Sequence, residues 1–521
     1  MAASTRRDFL SQVGQGMLVA SVGSLAFDLG LTGAIAGEAD KDGPSLTFGK
    51  LEPLVRLMQE TPADKLLPKV VAMLDSGTSL KDCVAAAALA NARAFGGEDY
   101  VGFHTLMALG PSYAMAQQLP SERRALPVLK VLYRNSAQIQ HKGGMKAQAL
   151  EAVEPDGATD APGARELRAM IHRRDRAGAE QTLAAIADRS AEAAFNDLLI
   201  TVEEAPEVHR VVLAHRAWDM LELVGKEHAL TMLRQSLRYC VRNAEWTGKH
   251  FNEPRELLPK LLDQYKLTSK KAGTRRADDA WIDRMSQTIF ASTPAQAAEA
   301  VAGALAEGFS QDSIGEAVAL AANQLVLRDV GRPKGQDRDG KPVGSVHGDS
   351  IGVHACDSAH AWRHIAAVAN PRNACAALIL SGYQAAYDRV SRGGDFLLWK
   401  PRPYQENLDK ISAKDAAGLL KELDGALREN NQAPACAVAH RYGELGFESR
   451  AILDVLLKYA TSEDGALHAE KYYRTTTDEF ASTRPAFRWR QIVALARVTA
   501  SEYGRTAAGY EDACRLLKIT A

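Results

Sequence analysis

Apolar residues recur at i, i+3, i+4 and i+7 through nearly every segment of this chain, as in "LLPKVVAML" (66–74), "AAEAVAGALAEGF" (297–309) and "AAGLLKELDGAL" (416–427). That period puts one apolar stripe on each helix and leaves the opposite face polar. Alanine and leucine are abundant and β-branched runs are few, so the predicted fold class is all-α.

The pattern repeats at a larger scale. Segments beginning "GEDYVGFH" (97), "VEEAPEVH" (202), "GDSIGVH" (348) and "SEDGALH" (462) align with one another. Each opens on an acidic or hydroxyl cluster, reaches a histidine, continues as helix, turns, and continues as a second helix. The histidines are His104, His209, His354 and His468, and an acid stands five positions before each: Asp99, Glu204, Asp349 and Glu463. Upstream lies a further helical pair, for instance in "TPADKLLPKVVAML" or "SAKDAAGLLKEL". The prediction is four tandem units of about four helices each, stacked into a toroid or curved superhelix because no single unit buries its own apolar faces. Their expected bounds are 37–149, 150–270, 271–403 and 404–521. Residues 150–164 read as a Pro, Gly and Asp-rich linker, and 328–350 as a polar, Gly-rich loop long enough to serve as a lid.

The N-terminus changes the compartment. Arg6 and Arg7 precede a weakly hydrophobic, Gly-rich run that ends at Ala34-Ile35-Ala36, so residues 1–36 resemble a twin-arginine export signal with its cleavage site. That route carries proteins already folded, often around a cofactor, so the resemblance implies a periplasmic or extracytoplasmic protein. A net charge of −1 gives no electrostatic case for nucleic acid or an anionic membrane surface, and no membrane span is expected in the mature chain. Six cysteines at 83, 240, 356, 375, 436 and 514 form no C-x-x-C pair, which excludes zinc-ribbon and iron-sulfur spacing. Disulfides among them stay open in such a compartment. Phosphate-loop, Rossmann, H-E-x-x-H and G-x-S-x-G signatures are all missing.

What remains is histidine. An acid before each helix is expected to cap it, with Pro206 in a first turn, so that each repeated histidine sits near the positive end of a helix dipole and stays neutral. His104, His209, His354 and His468 are therefore the candidate catalytic residues, converging on one central cavity, or else repeated packing at the unit interfaces. A second constellation lies in "GDSIGVHACDSAHAWRH" (348–364), where Asp357, His360 and His364 share one helical stripe. Two imidazoles at i, i+4 with a carboxylate suit a transition metal such as Zn, Fe, Mn or Cu, against the alternative of a polar helix face. In the sibling units only His215 partly resembles His360.

The segment "FHTLMALGPSYAMA" (103–116) resembles the F-H-x-L-x-x-L-G helix opening of the questin oxidase-like all-helical family, with His104, Leu106, Leu109 and Gly110 coinciding. That family includes oxygenases that open aromatic polyketide rings by a Baeyer-Villiger type reaction. Ala108 stands where the family pattern has a second histidine. The stretch "VHRVVLAHRAWDMLELVGKEHA" (208–229) is similar to segments of helical proteins that carry a Rieske domain, although this chain has no Rieske C-x-H motif. Both resemblances imply redox chemistry. The expected function is an exported, monooxygenase-like oxidoreductase acting on a small-molecule substrate, set against a non-catalytic helical-repeat scaffold or binding protein of the cell envelope.

Overall fold

The computed structural model describes residues 46–155, 163–268 and 273–520. The export-signal resemblance at 1–36 and the middle of the linker at 150–164 lie outside them. The described residues are helical, with only isolated bridges and no strand. Four successive modules each supply five principal helices, one more than the sequence predicted. The first holds α1 (Glu52–Glu60), α2 (Ala63–Asp75), α3 (Leu80–Phe95), α4 (Tyr100–Ala116) and α5 (Leu126–His141). The second holds α6 (Ala164–His172), α7 (Arg176–Arg189), α8 (Ala191–Val202), α9 (Val208–Asp219) and α10 (Ala229–Arg242). In the third are α11 (Asp279–Ala291), α12 (Pro294–Ala306), α13 (Gln311–Arg328), α14 (Ile351–Val368) and α15 (Pro371–Arg392). The fourth has α16 (Ala416–Arg428), α17 (Gln432–Glu444), α18 (Ser449–Ser462), α19 (His468–Ser482) and α20 (Trp489–Glu502).

The packing repeats with the helices. In every module the first helix packs on the third, the second on the fifth, and the fourth between the third and fifth. The fourth helices then meet across modules: α4 packs on α9, α9 on α14, α14 on α19, and α19 back on α4. This closed inner bundle explains why α4 and α14 lack a polar face. From Gly352 to Trp362 every residue of α14 is buried, and α4 is apolar nearly all round, as a helix surrounded by protein must be. Residues 46–521 form one unit, so the modules are not independent domains. All six cysteines are buried and none forms a disulfide. No helix among the described residues is long and apolar enough to cross a membrane.

The expected caps hold for one helix of the four. Asp99 caps α4 by accepting from the Gly102 amide. α9 starts later than expected and is capped by Glu207, leaving Pro206 outside it and Glu204 to pair with Arg168 and His172. Ser350 caps α14, so Asp349 is released to hold Arg332 and Lys341. α19 begins on His468 itself, and Glu463 instead accepts from the Gly504 and Arg505 amides. The shared five-residue offset thus records common descent rather than a common cap.

Modules one and two meet with backbone close to backbone. Gly97 has φ +78°, and a Cβ there would lie 2.2 Å from the Gln235 carbonyl oxygen in α10. Gly97→Ala should therefore lower stability by about 1–3 kcal/mol, from the left-handed backbone and the clash together. Urea unfolding checks this; a change under about 0.5 kcal/mol would mean that the junction is looser than drawn.

Candidate metal and histidine centre

Each inner helix carries its repeated histidine at the same end of the bundle, and the four rings meet. Ring centroids are 5.0 Å apart for His104–His209, 5.8 Å for His209–His354, 5.2 Å for His354–His468 and 5.3 Å for His468–His104. All four side chains are buried, between 2% and 8% exposed. Tyr100 and Phe103 pack against the His104 and His209 rings. The sequence predicted this convergence; what it produces is a packed ring of imidazoles.

The outer nitrogens fix the tautomers. His104 Nδ1 lies 2.8 Å from the Tyr100 carbonyl oxygen and His468 Nδ1 lies 3.0 Å from that of Ala466. A carbonyl only accepts, so both Nδ1 atoms carry the proton and both Nε2 atoms present a lone pair. His209 Nδ1 likewise donates to Glu207 Oε1 at 2.7 Å. Burial opposes ionisation of Glu207, yet His209 and the α9 amides draw its carboxyl down to about 2. The Nε2 atoms of His104 and His209 are buried and have no partner. His354 Nε2 sits 3.1 Å from His468 Nε2, which makes His354 the donor of that pair. Ahead of His468, Ala466 and Leu467 both adopt left-handed backbone at φ 51° and 67°, a strained approach of the kind that functional sites retain.

About two to three turns along the bundle the same register carries a second layer. Six residues beyond the ring histidines stand Gly110, His215, His360 and Arg474; ten residues beyond stand Ala114, Asp219, His364 and Asp478. Among the described residues, His360, His364 and Asp478 are the trio whose ligand atoms all lie within 4.8 Å of one another. His360 Nε2 is 3.2 Å from Asp478 Oδ2, and Arg474 Nε donates to that same oxygen, which leaves Oδ1 to a cation. His215 closes the layer, 5.1 Å from His364 and 5.7 Å from His360 between ring centroids, with its Nε2 buried and unpartnered. His360 is buried, whereas His364 and Asp478 are half-buried, so this end of the bundle is open to approach.

The expected ligand set is corrected at one residue. Asp357 lies on the predicted stripe and is buried, but it stands a turn closer to the ring and accepts a hydrogen bond from Thr475 Oγ1 at 2.8 Å. Its place beside His360 and His364 is taken by Asp478 of α19. Asp357 and Lys471, both three residues beyond their ring histidines, separate the two layers. Burial drops the Lys471 ammonium to about 8 against the pull of Asp357, and raises the Asp357 carboxyl.

Electrostatics keep the imidazoles neutral. Burial, with Lys471 and neighbouring histidines adding to it, holds His104 and His468 well below 6.5 and brings His354 to about 3. In the second layer, burial again dominates: His360 falls to about 3 despite Asp478, and His215 falls well below 6.5 beside Arg216. Against the cost of burial, His360 and Arg474 hold the Asp478 carboxyl well under its ordinary range.

The 328–350 loop ends on the ring, as a lid would. Gly348 donates its amide to Glu502 Oε1 at 2.9 Å, and a Cβ on it would lie 2.5 Å from His468 Cβ. Arg332 and Lys341 clamp Asp349 at 3.0 and 2.6 Å, and Arg392 holds Asp329 through two hydrogen bonds. The "DRDG" fragment within it closes as a turn between Arg338 and Lys341. Surface clefts of about 250 and 310 Å³, beside Asn407 and Tyr265 respectively, involve none of these histidines. Comparisons with protein-family models, with curated proteins and with solved structures returned no match to this chain.

Two outcomes follow from this geometry. Unfolding lets His354 and His360 protonate at about 6.5, while the folded chain resists until about 3. Their contribution is complete above pH 6.5 and is lost on acidification, at up to about 1.4 kcal/mol per pH unit for each. Glu502, raised to about 8 by burial, acts oppositely: its contribution is lost as pH rises from 4.5 towards 8. Melting temperature against pH should peak near neutrality; a flat profile between pH 7 and 4.5 would refute the neutral buried imidazoles. Gly348→Ala should cost about 1–3 kcal/mol by lifting the loop from His468. Protection of the 343–350 amides from hydrogen exchange should fall with it.

Proposed function

We propose that the protein is an exported, transition-metal-dependent oxidoreductase of monooxygenase type, with its ion held by His360, His364 and Asp478. The observation that carries this reading is a two-histidine, one-carboxylate donor set drawn to chelating distance at the half-open end of a closed bundle. Three protein ligands leave coordination positions for exogenous molecules, and this donor set is the one non-haem iron oxygenases use. His215 and Arg216 border the centre from α9, and the Arg474 guanidinium holds Asp478 in place.

On this reading dioxygen is the oxidant: one oxygen atom enters a small organic substrate and the other leaves as water, with two electrons from an external reductant. The chain's contribution is to fix the donors and to hold neighbouring imidazoles neutral. The twin-arginine resemblance accords with export after the ion is bound. The likeness to the questin oxidase-like helix opening points the same way.

The test is metal content and affinity. Protein purified after native export, or refilled anaerobically with ferrous iron, should hold an ion at His360, His364 and Asp478. Asp478→Ala should weaken that binding at least about tenfold, while Asp357→Asn leaves it within about twofold. Isothermal titration checks both. If neither iron, manganese, zinc nor copper binds at micromolar concentration, the enzyme reading fails and the helical scaffold remains.

A further inference from the structure

We infer that the ring of His104, His209, His354 and His468 is a second, separate metal site, built for a divalent transition-metal cation of the zinc or copper class. It lies about 9–15 Å along the bundle from the first, the rise of six to ten helical residues, and it does not depend on the reading of that site.

The argument starts from the nitrogens. Three of the four rings have Nδ1 tied down by an acceptor, two of them backbone carbonyls and one the anionic Glu207. Their Nε2 atoms therefore present lone pairs inward; that of His468 meets His354, and those of His104 and His209 end in buried space with no donor to meet. A buried lone pair without a partner costs about 1–3 kcal/mol, and here the cost recurs within one ring. Ordinary packing would have replaced such residues by apolar ones, as it has at Met107 and Val212 three residues further along. A cation at the centre meets all these lone pairs at once.

Geometry and charge agree with that occupant. Four imidazoles around an ion at ~2.0–2.1 Å place every pair of ring centres about 5 Å apart in a tetrahedral arrangement; the four neighbouring pairs of the ring already stand at 5.0 to 5.8 Å, and the two opposite pairs close on the ion when it binds. The 3.1 Å gap between His354 Nε2 and His468 Nε2 is close to the roughly 3.3 Å between two ligands of one such ion. The ring is wider than the His360–His364–Asp478 trio, so the ion draws it in, and His354 moves its proton from Nε2 to Nδ1 without net release. Glu207 behind His209 supplies the carboxylate that metal-bound histidines commonly lean on, and offsets part of the ion's charge. An all-nitrogen set of neutral donors suits zinc or copper rather than magnesium or calcium. The lid seals the site, because Gly348 rests on His468.

Stoichiometry and spectra separate the two centres. Full-length protein loaded with Co(II) as probe, then with Zn(II) and Cu(II), should hold two ions per chain by elemental analysis. A His104→Ala/His209→Ala variant should hold one, and should lose the intense visible absorption of four-nitrogen tetrahedral Co(II). A His364→Ala/Asp478→Ala variant should also hold one, and should keep that absorption. His354→Gln, which preserves volume and polarity, should behave as the ring double variant does and guards against a folding artefact, with circular dichroism confirming helix content. One ion in the wild type, lost with the ring variants and kept in the other, upholds the ring and removes the proposed function. One ion lost only with His364→Ala/Asp478→Ala, or two ions unaffected by the ring variants, overturns this inference.

Discussion

The structure depends on the desolvation of imidazoles inside a closed bundle. α4, α9, α14 and α19 surround one axis, and every side chain on that axis leaves water when the last module closes on the first. A charged group there would carry a prohibitive solvation cost, so what survives is neutral imidazole or a paired ion. This explains why the pKa values of His104, His354, His468, His215 and His360 are all lowered while Glu207 and Asp478, which have donors on several sides, remain anionic. It also explains why the 328–350 loop is seated there by backbone: Gly348 has no side chain to insert between Glu502 and His468.

The modular build makes such an axis obtainable. One module offers one histidine helix flanked by a third and a fifth helix, and its inner face stays bare until three other copies cover it. Duplication delivers the same residue type to the same height four times, a coincidence that separate evolution of four loops would rarely reach. Divergence then acts on the layers below. At the second layer the first module has Gly110 and Ala114, which only make room, while the other three supply His215, His360, Arg474, Asp219, His364 and Asp478. The upper ring stays four-fold alike, and the lower centre is lopsided, with its ligands on the α14 and α19 side.

The legible parts of this molecule were those that periodicity and repetition encode. Helix content followed from the 3.6-residue stripes, and the convergence of the four histidines followed from aligning the copies. The fifth helix was missed because the upstream stretches were not equivalent: "TPADKLLPKVVAML" is the second helix of its module, with α1 ahead of it, whereas "SAKDAAGLLKEL" is α16, the first helix of its own. The caps were misread because a five-residue offset in sequence does not fix where a helix begins: a left-handed pair at Ala466 and Leu467 or a loop through Pro206 moves the start by several residues. Asp478 was missed for a simpler reason. Spacing within one helix identifies ligands on one face, and a ligand from the neighbouring helix has no spacing to betray it. The register did hold the signal, since Asp219, His364 and Asp478 share one offset from their ring histidines.

The two layers are electrically coupled even without any ion. Asp357 and Lys471 lie between them, and each depends on the other to stay charged: burial lowers the ammonium and raises the carboxyl, and their mutual attraction opposes both shifts. A dication arriving in either layer adds positive charge close to Lys471, which disfavours its ammonium form and frees Asp357 from that partner. The residue that the helical stripe nominated as a ligand stands instead between the two histidine layers, where it accepts from Thr475 and faces Lys471. That position, rather than direct ligation, accounts for a carboxylate buried between two layers of imidazoles.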